Sequence, residues 1–206
     1  MQLTSDSFAN GGVIPAPFAF GKPGDPIALS DNRNPHLAWR DIPDGTRSFV
    51  LTCVDPDVPS KGDDVNQTGR TVPADLPRVE FVHWVMVDIP RECGELGEGS
   101  CSDGIVAHGK VDPVGPPGSR QGLNDYTGWF AGDEAMRGEY YGYDGPCPPW
   151  NDAIVHHYHF AIHALDVVTL NLTGRFDLDD VRRAMTGHVL ARAEWVGTYA
   201  IHPEAR

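Results

Sequence analysis

Turn-forming residues recur at short intervals along this chain and limit the folds that it can adopt. The segments NGG, KPGD, PDG, DPDVP and DGPCPP each combine Gly, Pro, Asn or Asp. Between them lie short apolar segments with strand character, at residues 48–54, 81–89 and 155–165. Short strands separated by such turns are typical of all-β domains. The sequence therefore predicts a mainly β fold.

The chain is 206 residues long, and nothing in it resembles a linker or an internal repeat. All-β domains of this length are common, so we predict one domain over residues 1–206. The N-terminal residues lack a basic segment followed by an apolar core, and no run approaches the ~18 apolar residues of a membrane span. We therefore expect a cytoplasmic protein without membrane insertion.

The formal net charge is −13, with 16 Lys and Arg against 29 Asp and Glu. Binding to nucleic acid or to an anionic membrane surface requires a basic patch, and the sequence has no cluster of Lys or Arg. The charge therefore argues against both functions. Cys53, Cys93, Cys101 and Cys147 lack CxxC spacing, so reduced thiols are the default and a Cys93–Cys101 disulfide is the alternative.

A helix is predicted only near the C-terminus. Asp177 is a suitable N-cap, and Asp179 and Asp180 follow in the first turn, where carboxylates interact favourably with the helix dipole. An apolar stripe continues at four-residue spacing with Val181, Met185, Val189 and Ala193. Gly187 interrupts this stripe, so we expect it to kink or divide the helix.

Residues 154–166, IVHHYHFAIHALD, contain four of the nine histidines. Because strand side chains alternate between faces, His156 and Tyr158 share a face with Phe160 and Ile162. Polar groups among such apolar neighbours need hydrogen-bond partners. We therefore predict that His156 and Tyr158 line a pocket.

The opposite face of the same strand carries His157, His159 and His163. Positions six apart are separated by about 20 Å at ~3.3 Å per residue, so only His157 and His159 could share a metal ion. We expect a solvated or interface face and predict no metal site there.

Two further groups have both a structural and a functional interpretation. Asp55 begins an Asp-Pro-Asp turn directly after an apolar strand, so it either shapes the turn or directs a carboxylate into a cleft. His83 lies in FVHWVMV and shares a face with Phe81, Val85 and Val87 by alternation. It is either a hydrogen-bonded core histidine or a ligand-binding group.

The motifs DPDVP, VHW, GPCPP and HHYHFAIHALD, in this order, resemble those of the phosphatidylethanolamine-binding protein family, in particular its bacterial Raf kinase inhibitor-like branch. The similarity extends from LTSDSFANGGVIP near the start to GHVLARAEWVGTY near the end, essentially over the whole chain. It implies a large antiparallel sheet packed on a smaller sheet, with a C-terminal helix and short peripheral helices. It also implies a small pocket that accepts phosphate-like anions.

The resemblance assigns the pocket to residues from distant parts of the chain. These are Asp55, Pro59, His83, Pro149, His156 and Tyr158. The chain departs from the family where His157 replaces the usual Arg of a His-Arg-Tyr element, and we expect this change to remove a structural ion pair. The insertion after Pro59 is expected to reshape the rim.

The leading functional hypothesis is a binding protein for a small anion or phospholipid headgroup, such as phosphate, phosphoethanolamine or a carboxylate. His83, His156 and Tyr158 would donate hydrogen bonds, and Asp55 would accept one from a histidine and favour its charged form. The alternative is a metal-dependent or acid–base hydrolase that uses the same Asp and His residues. No nucleophile motif supports an enzyme, and no cofactor is predicted.

The resemblance also permits a protein partner, a kinase or a protease whose activity this protein would modulate. Bacterial relatives suggest a homodimer.

Overall fold

The computed structural model of the chain describes residues 1–205 and is mostly β. The strands are β1 (Gln2–Thr4), β2 (Gly12–Val13), β3 (Gly21–Pro23), β4 (Ile27–Leu29), β5 (Leu37–Arg40), β6 (Ser48–Pro59), β7 (Arg78–Pro90), β8 (Glu95–Leu96), β9 (Arg120–Gln121), β10 (His156–Leu165) and β11 (Val189–Tyr199). The α-helices are α1 (Tyr126–Trp129) and α2 (Leu178–Met185), and single 3₁₀ turns lie at Ala16–Phe18 and Phe130–Gly132. The predicted strands are confirmed, and β6 and β7 extend beyond the predicted segments.

A six-stranded sheet in the order β2-β11-β10-β6-β7-β9 forms the centre of the fold. Its long strands pair antiparallel, as the resemblance implies, and only the two-residue strand β2 runs parallel to its neighbour β11. A three-stranded sheet in the order β1-β5-β8 and a β3-β4 hairpin are separate from it. The fold is therefore a large sheet with a smaller sheet against it, and a short parallel edge makes the large sheet mixed.

Both faces of the large sheet are covered by apolar side chains. The inner face packs against the small sheet, where Trp84 and Phe160 belong to the same buried cluster as Trp39. The outer face packs against α2, where Val85 contacts the cluster that contains Val181. The sheet therefore separates two cores, and the strand alternation that the sequence predicts decides which side chains enter each.

The helix α2 is shorter than the apolar stripe predicts. Asp177 caps it through a reciprocal pair of hydrogen bonds with Asp180, at 3.0 Å and 3.2 Å, as expected for a capping box. The helix ends at Met185, Gly187 adopts a φ of +84°, and Val189 begins β11. The prediction that the helical stripe continues through Val189 and Ala193 is wrong, because pairing with β10 fixes these residues in a strand.

The outer edge of β7 is covered by a loop rather than by a full strand. β9 pairs with only two residues of β7, Met86 and Val87. Beyond it, the backbone N–H of Asp125 donates to Val82 O at 2.9 Å, and the Asp125 carboxylate accepts from Val82 N at 2.7 Å. This loop continues directly into α1.

All four cysteines are free thiols, in agreement with the default expectation. None of the helices within residues 1–205 combines the length and the apolar character needed to cross a membrane.

Replacing the cap residue of α2 tests how much its local hydrogen bonds stabilise the outer core. Asp177→Ala is expected to lower the free energy of unfolding by about 1 kcal/mol, because the N–H of Asp180 loses its acceptor. Asp179→Ala is the matched control, because it removes a carboxylate from the same turn without removing the cap. Urea denaturation measures both, and equal losses would show that the cap is not the stabilising interaction.

Candidate ligand-binding site

A cavity of about 400 Å³ opens at one end of the inner face of the large sheet. The six residues predicted for the pocket all line it: Asp55, Pro59, His83, Pro149, His156 and Tyr158. They come from β6, β7, β10 and the loop before β10. The structure therefore brings together segments that are up to about 100 residues apart in sequence.

A β-bulge directs His83 into this cavity. The register between β6 and β7 shifts where Cys53 pairs with Trp84 and the next residue, Val54, pairs with Val82. His83 is the extra residue of β7, so it lies on the same side of the sheet as Trp84. Its ring centroid is 5.1 Å from that of Tyr158.

Simple alternation gives the wrong neighbours for His83. It predicts a shared face with Phe81, Val85 and Val87, whereas Val85 and Val87 pack on the opposite side of the sheet, under α2. Only Phe81 lies on the same side as His83, because the alternation between faces is interrupted after His83, where Trp84 follows on the same side.

His156 lies between two carboxylates and is completely buried. Its Nδ1 is 2.7 Å from Asp55 Oδ2, and its Nε2 is 3.1 Å from Asp152 Oδ2. Because carboxylate oxygens can only accept, both ring nitrogens donate and the ring is an imidazolium. Burial alone would lower the pKa of His156, but the hydrogen bonds to Asp152 and Asp55 outweigh it and raise that pKa to about 9.

The second carboxylate is itself held by an arginine that the sequence did not single out. The guanidinium of Arg78, at the start of β7, contacts both oxygens of Asp152, at 2.6 Å and 3.1 Å. Burial raises the pKa of Asp152, but the hydrogen bonds from His156 and Arg78 outweigh it and keep that pKa below its ordinary value. Arg78, Asp152, His156 and Asp55 thus form a row of four charges with alternating sign, which we call the charge row.

His157 contacts a carboxylate on the neighbouring strand β6. Its backbone N and its Nδ1 both lie 2.8 Å from Asp57 Oδ2. The expectation that losing the usual Arg at this position removes an ion pair stays a prediction. His157 pairs with Asp57, and Arg78 provides a guanidinium from the other side of the site.

The protonation of His83 is fixed by a backbone carbonyl. Its Nδ1 is 2.7 Å from Asp144 O, which can only accept, so Nδ1 carries a proton. Burial lowers the pKa of His83, so the ring is neutral near pH 7 and Nε2 carries a lone pair. Nε2 has no hydrogen-bond partner within residues 1–205, and His83 is one of the residues that line the cavity.

Tyr158 presents a buried hydroxyl group without a protein partner. Its side chain is completely buried, and Oη makes no hydrogen bond within the described residues. A buried hydroxyl left in this way costs about 1–3 kcal/mol. Burial also raises the pKa of Tyr158 well above its ordinary value, so the group stays protonated and can donate.

The walls of the cavity are mostly aromatic and aliphatic. The aromatic residues that line it, beside Tyr158, are Phe20, Phe81, Tyr126, Trp129 and Phe130. Lys61, in the segment after Pro59, is the only Lys or Arg among the lining residues within 1–205. Of these wall residues, only Phe81 was placed beside a pocket residue by strand alternation, because the others lie in loops or short helices with no periodic signal.

The geometry gives His156 a different role from the predicted one. His156 does not donate to a ligand, because both of its N–H groups are used by Asp55 and Asp152. For the same reason it offers no lone pair to a metal ion, and no group of three His, Cys, Asp or Glu within residues 1–205 is placed to hold one. The expectation that Asp55 accepts from a histidine and favours its charged form is confirmed.

The family model described as phosphatidylethanolamine-binding protein matches residues 4–200. The chain belongs to the phosphatidylethanolamine-binding protein family. Its bacterial relatives include a UPF0098 protein of Aquifex aeolicus, 34% identical over 97% of this chain and 88% of the relative. YbhB of Escherichia coli is also 34% identical, over 94% of this chain and 96% of its own length.

Solved structures of this family share the fold. The crystal structure of Escherichia coli YbcL, described as a member of the mammalian PEBP family, superposes with a TM-score of 0.69 at 26% identity and covers 97% of both chains. The homologue CT736 of Chlamydia trachomatis gives a TM-score of 0.64 at 28% identity, over 96% of this chain and 95% of that one. The resemblance inferred from the motifs is thereby confirmed.

The charge row predicts how stability changes with pH. The pKa of His156 is about 9 in the folded protein and 6.5 in an unfolded chain, so its contribution is complete below pH 6.5 and disappears as pH rises to about 9. We expect the free energy of unfolding to fall by up to about 3 kcal/mol over this interval.

Denaturation at a series of pH values, together with an NMR titration of the His156 ring, measures this effect. Asp152→Asn should lower the pKa of His156 and flatten the pH dependence, whereas His188→Gln, which changes an exposed histidine paired with Asp166, should leave both unchanged. A His156 ring that titrates at its ordinary pKa in the unsubstituted protein would contradict the charge assignment.

Proposed function

We propose that this protein binds a small oxyanion, a phosphate or a carboxylate, carried on an apolar body such as that of a phospholipid. The unpartnered hydroxyl group of Tyr158 is the observation that supports this best, since it is buried and protonated and belongs to a residue that lines the cavity. Membership in the phosphatidylethanolamine-binding protein family supports ligand binding in general.

The ligand would contact two protein atoms at the inner end of the cavity. Tyr158 Oη would donate a hydrogen bond to a ligand oxygen. His83 Nε2 would either accept a hydrogen bond from a ligand O–H group or be protonated. A monoanionic phosphate monoester supplies both an acceptor oxygen and an O–H donor. A dianion would instead bind to protonated His83. In both cases the complex holds one proton more than the free dianion and neutral His83 together. Affinity therefore rises as pH falls.

The remaining polar groups of the site would hold Tyr158 and His83 in position. Asp55 Oδ1 accepts from the N–H of Asp57 at 2.8 Å, and Asp55 Oδ2 accepts from His156, so both oxygens already have partners. The charge row adds two positive and two negative charges, which sum to zero. It would therefore order the site without attracting an anion by net charge.

The apolar walls match the body of such a ligand rather than its headgroup. A volume of about 400 Å³ lies within the ~300–1,000 Å³ range of small-molecule sites. Hydrogen bonds to charged groups contribute about 1.5–3 kcal/mol each, so two of them give modest affinity after the cost of binding. Contact with the aromatic walls would supply the rest.

Removing the hydroxyl group of Tyr158 is expected to change affinity and stability in opposite directions. Tyr158→Phe should weaken binding of phosphoethanolamine about tenfold, because one hydrogen bond is lost. The same change should raise the free energy of unfolding of the ligand-free protein, because a buried unpartnered hydroxyl group is removed.

NMR titration with phosphoethanolamine and with inorganic phosphate, followed on the His83 ring, measures affinity, and urea denaturation measures stability. Tyr141→Phe is the control, because its hydroxyl group bonds to exposed Glu139 outside the cavity. If Tyr158→Phe binds both ligands as tightly as the unsubstituted protein, the proposed contact does not exist.

Lys61 is expected to supply the positive charge that the charge row does not. Lys61→Gln should weaken phosphate binding several-fold, because the ligand loses a cation at the rim, and should reduce the dependence of affinity on salt. Lys22→Gln removes one positive charge from the same chain but changes no residue that lines the cavity. Calorimetry at two salt concentrations compares the two variants. Equal losses of affinity would show that Lys61 acts only through the net charge of the chain and does not contact the ligand.

The predicted kinase or protease partner, the predicted homodimer and the cytoplasmic location stay predictions.

A further inference from the structure

A second cavity lies on the opposite face of the large sheet, where the edge of α2 meets β6, β10 and β11. Its volume is also about 400 Å³. Val54, Ala161, Leu178 and Met185 give it an apolar base, and histidines and two Arg–Glu pairs surround this base. We call it the outer groove. It shares no lining residue with the cavity described above.

His163 is one of the polar residues that line the outer groove. It lies on the face of β10 that the sequence assigned to solvent or an interface, yet it is mostly shielded from water. It makes no ion pair and no side-chain hydrogen bond within residues 1–205, and burial followed by the charge of Arg192 lowers its pKa to about 4. A neutral imidazole with two unused nitrogens therefore lies near Arg192 and Arg182, whose positive charges oppose its protonation.

The charged groups that face His163 come from each packed element. His159 lies on β10, Arg192 and Glu194 on β11, Arg182 on α2 and Glu80 on β7, whereas β6 contributes only uncharged residues. Arg182 belongs to the helix and Arg192 to the sheet. Arg182 is held by a bidentate contact with Glu80, at 2.9 Å and 3.0 Å.

The partner of Arg192 is exchangeable. Glu194 lies two residues away on the same strand, and both side chains are partly exposed, so their contact stabilises little. Glu194 Oε1 is also 3.2 Å from His159 Nδ1, which gives Glu194 a second partner inside the groove. Glu194 can therefore remain in contact with His159 when another anion pairs with Arg192.

We propose that the outer groove is a second binding site, for a small oxyanion carried on a compact apolar group. The oxyanion would bind Arg192 and His163, with Arg182 at the edge, and the apolar group would lie against Leu178 and Met185. An aryl phosphate or an aryl carboxylate has this chemistry. The site is independent of the function proposed for the first cavity.

Binding at this site is coupled to protonation of His163. A bound anion offsets the positive charge of Arg192 and Arg182 and pairs with a second N–H of the ring, so it favours the imidazolium form. The affinity of the outer groove therefore rises as pH falls toward the pKa of free His163.

NMR titration with inorganic phosphate and with phenyl phosphate, on the Tyr158→Phe variant, tests the proposal. We expect phenyl phosphate at millimolar concentration to shift the ring resonances of His163 and His159 and to raise the pKa of His163 from about 4 toward its ordinary 6.5. Inorganic phosphate, which lacks the apolar group, should do so with lower affinity. Arg192→Gln should weaken the effect about tenfold, which is the loss of one charge-assisted contact.

The control is Arg40→Gln, which removes one positive charge from a surface side chain that hydrogen-bonds to Gln2 and does not line the groove. It should leave the His163 shifts unchanged. Unshifted His163 resonances at millimolar phenyl phosphate would overturn the proposal, as would equal binding by the Arg192→Gln and Arg40→Gln variants. Because the readout is the ring of His163 and not that of His83, failure here is separate from failure at the first cavity.

Discussion

The buried charge row is the interaction on which the rest of the site depends. It joins four parts of the chain, since Arg78 begins β7, Asp152 precedes β10, His156 begins β10 and Asp55 lies in β6. Each inner member has a partner of opposite charge on both sides, which is the condition under which buried charges are tolerated. Removing one member leaves an uncompensated charge at the place where the strands converge.

The charge row also determines how the cavity can select a ligand. Because its charges cancel, selection of the proposed ligand would fall to a hydroxyl group and a neutral imidazole, Tyr158 and His83. These groups would distinguish ligands by the positions of donors and acceptors, whereas Lys61 would contribute charge at the rim. This arrangement also explains how a chain with a net charge of −13 is compatible with an anionic ligand, since screening limits distant charges whereas hydrogen bonds act at contact.

Local alternation predicted part of the site, and long-range register decided the rest. The place of His156 in the cavity followed from the two-residue period of one strand. The side of His83 did not, because it depends on a bulge that only the pairing of β6 with β7 reveals. Arg78 and Asp152 are 74 residues apart, so no local pattern joins them. Val189 fits a helical stripe equally well until its pairing with β10 fixes it in a strand.

The loop that covers the edge of β7 connects ligand binding to the integrity of the sheet. An open strand edge is a template for pairing with another chain. Here the backbone and carboxylate of Asp125 occupy that edge at Val82, and the next residue, Tyr126, is part of the cavity wall. A ligand of the proposed kind that packs against Tyr126 would hold this loop in place. Occupancy of the cavity would then also oppose aggregation through the longest strand of the sheet.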